Sequence, residues 1–252
     1  MDMHKAILAH AQQCYPRECC GLILSHGGQD EYLPCENLEK VIEGDPDSGP
    51  EHGFRIDEEL LAKHEDAGDL KAVVHSHINR SASPSEVDKV GCEETNVPWL
   101  IISLPSGVTR EIRPSGYIAP LVGRTYVFGV FDCYTVVRDY FRVGHEIKLP
   151  DYTHEMQQAW LDGDEIYLDS FRAAGFHEIT FKDLKAGDII LFSFPCSRYR
   201  QDGKKPVNHA AVYLGEQVIL HHTENRLSSR DMFDGYWQRH AKLYLRHEAL
   251  DA

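Results

Sequence analysis

His75-Ser76-His77, followed after seven residues by Ser85-Glu86-Val87-Asp88, decides how the first half of the chain is read. Side chains two apart on a strand point to the same face, so two imidazoles leaving the end of Lys71-Ala72-Val73-Val74 can reach one ion together. Asp88 supplies a third ligand. Two His and one carboxylate leave a fourth tetrahedral position for water, the mark of catalytic rather than structural zinc. Bound zinc lowers the pKa of its water to about 7, and a nearby carboxylate takes the proton as an amide carbonyl is attacked. Glu18 is the candidate base. Ser85 to Asp88 also reads as a helix start, with Ser85 as cap and an acid at the third helical position. The two readings are compatible, and a cap alone does not require the upstream His pair.

These residues resemble the JAB/MPN metallopeptidases, whose signature is a Glu well upstream, then His-x-His, seven residues and Ser-x-x-Asp. The resemblance implies Zn²⁺ held by His75, His77 and Asp88, Glu18 as general acid/base and Ser85 as a donor to the oxyanion. Pro16-Arg17-Glu18-Cys19-Cys20-Gly21 is similar to the family's Glu segment. Ile78 departs from the pattern, since many members have Pro there, but it is not a ligand.

The chain has 252 residues and a mass of 28.7 kDa, more than the usual ~100 to 200 residues per domain, so two domains are expected. A net charge of -14 argues against a nucleic-acid surface, which needs a face rich in Lys and Arg. No apolar stretch approaches the ~20 residues of a membrane span, and the Met1-Asp2-Met3-His4-Lys5 start lacks the apolar core of a signal peptide. Synthesis in the host cytoplasm is therefore expected. The seven cysteines, at 14, 19, 20, 35, 92, 133 and 196, lack Cys-x-x-Cys spacing and read mostly as buried thiols.

Apolar spacing predicts a helix over 3–15 stopped by Pro16, a strand over 20–24, a surface loop over 36–53, a helix over 57–67 and strands over 97–103 and 108–113. The segment 114–120 reads as a linker, dividing the chain into domains at 1–114 and 115–252. Beyond it, the pattern predicts a helix over 131–143, helical turns within 152–174, and strands over 189–194, 210–214 and 217–221. Helix first and sheet later makes this second half an α+β unit.

Asp132-Cys133-Tyr134 sits where a loop enters a helix, and a helix N-terminus with a nearby imidazole can depress a thiol pKa. His209 opens one strand and His221 ends the next, so the two imidazoles come near each other. Cys133 is then the candidate nucleophile, His209 the proton acceptor and His221 the residue that orients it. His222 is the alternative third member; register favours His221.

Together Tyr126-x-x-Gly129, Asp132-Cys133, Leu184-Lys185-Ala186-Gly187-Asp188 and His209-x-x-x-Tyr213-Leu214-Gly215 resemble the NlpC-type cysteine peptidases, papain-like enzymes of bacterial cell walls. The resemblance places Tyr126 at the substrate site. Through Pro120-Leu121-Val122-Gly123-Arg124 and Asp132 to Tyr140 the chain is similar, almost end to end, to the tail-tip assembly proteins of lambda-like phages. The implied fold is α+β in two domains, a JAB/MPN-like mixed α/β sheet followed by a papain-like NlpC-type domain. The implied role is that of a virion tail-tip protein that hydrolyses amide bonds in peptidoglycan stem peptides during cell-wall penetration or tail assembly. Its partners would be those peptides and other tail-tip proteins, with no nucleic acid and no membrane span. An assembly module with idle or processing-only peptidase sites is the alternative, and a deubiquitinase-like isopeptidase a third reading of the first half.

Overall fold

The computed structural model describes residues 2–41, 49–151, 164–194 and 207–251. The chain divides into two compact units, Met1–Ala119 and Pro120–Ala252. The first extends past the break at 114/115 for a local reason. The Glu93 carboxylate accepts hydrogen bonds from the backbone N–H groups of Ser115, Gly116 and Tyr117 at 2.6, 3.1 and 3.0 Å, and the Lys89 ammonium lies 5.0 Å from the centre of the Tyr117 ring. The start of the expected linker is thus strapped to the first unit.

In that unit a five-stranded sheet runs in the order β2-β1-β3-β4-β5, from β1 (Cys20–His26), β2 (Gln29–Cys35), β3 (Leu70–Ile78), β4 (Trp99–Leu104) and β5 (Thr109–Ile112). Only β3 and β4 are parallel, and the connection between them is α3 (Glu86–Thr95). α1 (Met3–Cys14) covers one face of the sheet through Ile7 and Ala11 against Val74, Ile102 and Leu104. The opposite face packs Cys20, Leu22, Leu24 and Val73 against Cys92 of α3 and Trp99, with Leu60 and Leu61 of α2 (Glu58–Ala67) at its edge. Period-two alternation along β3 therefore turns Val73, His75 and His77 toward the α3 side and leaves Val74 to α1.

α3 sits close to the sheet because of Gly91. A Cβ there would run into the Trp99 ring, and the indole N–H donates instead to Thr95 Oγ1 at 2.9 Å.

The second unit has a six-stranded antiparallel sheet, order β10-β9-β8-β7-β11-β6, from β6 (Phe176–Ile179), β7 (Ile189–Phe192), β8 (His209–Gly215), β9 (Val218–His221), β10 (Ser229–Met232) and β11 (Ala241–His247). α4 (Cys133–His145) lays Val136, Val137 and Phe141 on the face formed by Ile189, Leu191, Ala210, Val212 and Leu220. The other face, Ile190, Phe192, Ala211 and Ile219, packs on Phe233 and on Trp237 of α6 (Gly235–His240). The helical turns expected within 152–174 appear in part as α5 (Ile166–Ser170); residues 152–163 lie outside the described residues, as does Cys196. The Leu184 to Asp188 motif has a structural use: Gly187 turns with φ +97, and Asp188 takes a bidentate pair of hydrogen bonds from Arg246 at 2.8 Å each. Among the described residues no helix is long and apolar enough to cross a membrane.

The Gly91 contact gives a direct test. Gly91→Ala forces a methyl into the indole, and overpacking of this kind costs about 1 to 3 kcal/mol. A lowered urea midpoint with an unchanged slope is the expected result, and an unshifted midpoint would show that α3 has room to spare.

Candidate active sites

In the first unit His75 and His77 present their Nε2 atoms 3.2 Å apart. Asp88, third residue of α3, places Oδ1 3.1 Å from His75 Nε2 and Oδ2 3.2 Å from His77 Nε2. His77 Nδ1 lies 2.8 Å from the Ser81 carbonyl oxygen, which only accepts, so Nδ1 carries the proton and Nε2 offers its lone pair. Two imidazole nitrogens and a carboxylate thus converge on one point inside the protein. Ligands held at about 2.0 to 2.2 Å in a tetrahedron stand roughly 3.3 to 3.5 Å apart, close to what these side chains already show. The donor set fits a divalent cation of the zinc type.

Asp88 also closes a capping box, accepting the Ser85 N–H at 2.6 Å while Ser85 Oγ accepts the Asp88 N–H at 3.1 Å. Burial pushes the Asp88 carboxyl up, but hydrogen bonds and charge from both imidazoles and the Ser85 N–H outweigh it and hold it well below the carboxylate range. Ser85 acts as the cap, with its own O–H left to donate. His75 is fixed by packing, stacked on Phe54 at 4.6 Å with Trp99 edge-on at 5.5 Å, and its buried Nδ1 has no hydrogen-bond partner.

Glu18 is 2% exposed, and burial raises its carboxyl to about 7 against the pull of Arg80 and His77. Arg80 Nη2 donates to its Oε1 at 2.8 Å. Its backbone is held by Asn37, whose amide donates to the Glu18 and Gly53 carbonyls at 3.0 Å each and accepts from the Glu39 and Arg55 N–H groups. The sequence reading did not single out Asn37, since a lone Asn in a loop carries no pattern.

In the second unit Asp132 caps α4 through a box with Thr135, at 2.9 and 2.8 Å, and its other oxygen accepts the Gly129 N–H at 2.9 Å. This seats Cys133 on the first turn, against the start of β8, where the Ala210 N–H lies in reach of its sulfur. The expectation of a depressed thiol pKa is corrected here. Burial, reinforced by the Asp132 charge, pushes the Cys133 thiol up to about 12. The sulfur's side-chain hydrogen bond goes to Tyr167 Oη at 3.2 Å, and none of its hydrogen bonds goes to an imidazole.

His209, one residue before Ala210, sets its Nε2 3.1 Å from His221 Nδ1. His222 faces away, with Nε2 3.1 Å from the Arg226 carbonyl oxygen and its ring edge-on to Tyr126 at 5.1 Å. Burial holds His209 well below its ordinary value, and His221 below its own despite the Asp231 carboxylate. Asp231 escaped the sequence reading. Its Oδ2 lies 3.2 Å from His221 Nε2, a close contact not aligned as a hydrogen bond, and Arg226 holds the same carboxylate at 3.0 and 3.2 Å. The available signal was the pairing of β10 with β9, which sets Ser229 opposite His221. Trp237 was missed as well; it packs edge-on to His221 at 4.4 Å.

Residues 1–113 match the family of prokaryotic homologs of the JAB domain, and residues 123–246 match the NlpC/P60 family. The tail tip assembly protein K of Escherichia phage N15 is 35% identical over 96% of this chain and 93% of its own length. The chain belongs to the tail tip assembly protein K family. The Escherichia phage lambda protein of that name is 32% identical over 72% of this chain and 84% of its own. The CysO-cysteine peptidase of Mycobacterium tuberculosis is 27% identical over 44% of this chain and 76% of its own, a likeness confined to 120 residues. The two families stand in the order that the motifs around His75 and Cys133 predict, and they make the fold a JAB/MPN-like unit followed by an NlpC/P60 unit.

The depressed His209 pKa has a consequence for stability. The unfolded chain protonates this imidazole at its ordinary value of 6.5 and the folded chain does not, so unfolding takes up a proton once the pH falls below that value. Folding stability present at pH 7.5 is therefore lost on acidification, by up to about 1.4 kcal/mol per pH unit for one such group. His209→Gln removes this contribution, so urea midpoints of wild type and variant should converge between pH 7.5 and 5.5. A constant gap would show that folded His209 titrates normally.

Proposed function

We propose that the chain is a tail-tip assembly protein with two hydrolase sites, the second of which cleaves an amide bond in peptidoglycan stem peptides. The observation that carries this reading is the 3.1 Å contact between His209 and His221, at the strand end whose next backbone N–H reaches the Cys133 sulfur. The cell-wall substrate follows from the resemblance to NlpC-type enzymes, and the assembly role from the name its relatives in phages N15 and lambda carry.

The resting pair is a neutral thiol and a neutral imidazole. As the sulfur adds to the amide carbon, His209 takes the thiol proton, and His221 holds the imidazole in the orientation that receives it. Backbone N–H groups at the start of α4 favour the negative charge that forms on the carbonyl oxygen. The imidazolium then gives its proton to the leaving amine as the C–N bond breaks. Water adds to the thioester carbon, gives a proton to His209, and the thiolate leaves and recovers that proton. By the resemblance Tyr126, whose ring meets His222 edge-on, would line the substrate site.

In the first unit His75, His77 and Asp88 would hold Zn²⁺, which when bound activates water for attack on a peptide or isopeptide carbonyl. Glu18, with its carboxyl near 7, suits a group that takes a proton and returns it at neutral pH. Ser85 O–H is the donor to the developing oxyanion. The CysO-cysteine peptidase among the relatives of this unit supports peptidase chemistry here.

A second reading keeps the tail-tip role and leaves the sites idle or limited to processing. The burial of Cys133, 7% exposed, favours it.

Cys133→Ala is expected to reduce stem-peptide hydrolysis by at least about a thousandfold, measured on purified muropeptides under reducing conditions with zinc present. Wild-type protein that leaves these fragments intact, while a known cell-wall hydrolase digests them, defeats the hydrolase reading. Chelation should remove one equivalent of metal from wild type and none from His75→Ala, without changing the Cys133-dependent rate. Metal content equal in the two proteins would remove the zinc assignment.

A further inference from the structure

We propose that Tyr167 is the access residue of the second site: its side chain closes over the Cys133 sulfur, and substrate reaches the nucleophile when the turn carrying it swings aside. The proposal rests on the reading of Cys133 as the nucleophile. Cys133 is buried on the first turn of α4, and Tyr167 brings its hydroxyl 3.2 Å from the sulfur.

The turn that carries Tyr167 is tied to both chemical elements. Glu165 Oε2 accepts the Val207 N–H at 3.1 Å, two residues ahead of His209, and Tyr167 meets Tyr134 edge-on at 6.4 Å. α5, which carries Tyr167, is five residues long, has no side-chain cap and contains no buried residue. Phe171, directly after it, is buried in the core and remains as the anchor. A five-residue turn whose core-packed side chains, Tyr167 and Leu168, are only partly buried is a unit small enough to open locally.

The test is iodoacetamide labelling of the full chain, with Cys133 read against partly exposed Cys14 by peptide mass spectrometry. In wild type Cys133 should react at least about tenfold more slowly than Cys14. Tyr167→Ala should raise the Cys133 to Cys14 ratio about tenfold, the effect of some 1.4 kcal/mol of lost closure, and Tyr167→Phe by less because its ring still covers the sulfur. Melting midpoints verify that the variants are folded; if Tyr167→Ala is not, Tyr167→Leu, which keeps apolar packing but cannot reach the sulfur, decides in its place. A wild-type ratio near one, or a ratio unmoved by loss of the ring, overturns the proposal. Labelling needs no turnover, so the two readings fail separately: a raised ratio without any hydrolysis sustains the access role and removes the hydrolase reading, whereas hydrolysis with an unmoved ratio does the reverse.

Discussion

Each unit depends on a helix start pinned by a capping box. The first-turn N–H groups of a helix have no partner within it, and a short polar side chain that satisfies them fixes where the helix begins. In α3 the box is Ser85 with Asp88, and in α4 it is Asp132 with Thr135. Asp88 serves both the cap and the imidazole pair, so the position of the candidate ligand carboxylate follows from the position of the helix end. In α4 the cap is the residue before the sulfur. A helix start is a place where the sequence fixes the backbone to within a residue, and chemistry built there inherits that precision.

This explains why the His75 to Asp88 site was largely legible in the sequence. Its strand alternation and its cap are both local patterns, read from fewer than about fifteen residues. The choice of His221 beside His209 also followed from register, and the structure sets His222 on the opposite face. What could not be read was contributed from far along the chain or by elements of mixed polarity. β2, β6 and β10 are sheet-edge strands whose exposed positions break the apolar alternation, as in Gln29-Asp30-Glu31-Tyr32. α6, with Trp237 on it, spans only six residues and shows no helical repeat. The Cys133 thiol was expected low on the strength of its helix and its imidazole, but burial, reinforced by the Asp132 charge, pushes it up to about 12. Desolvation is a property of the packed molecule, and no spacing announces it.

The two imidazoles of the first site are fixed by different means. His77 has a backbone acceptor for its outer nitrogen, so hydrogen bonding fixes its tautomer. His75 has aromatic walls instead, which fix the ring plane and leave Nδ1 unpaired. An unpaired buried donor costs about 1 to 3 kcal/mol, so the proton of a metal-free His75 is better placed on Nε2, where Asp88 accepts it. If the site held a divalent cation, His75 would offer it Nε2 and carry its ring proton on Nδ1.

In the second unit the line runs outward from His209 through His221 and Asp231 to Arg226, and burial falls along it. Both imidazoles are almost fully enclosed, the Asp231 side chain is about a fifth exposed, and the Arg226 side chain is half exposed. A carboxylate beside an imidazole normally favours the imidazolium, yet His221 is held below its ordinary value. Burial is the main cause and outweighs the attraction of Asp231, and the Arg226 guanidinium, which engages both Asp231 oxygens, adds to the lowering. On the proposed mechanism a charge created on His209 would face that carboxylate one ring away, across His221.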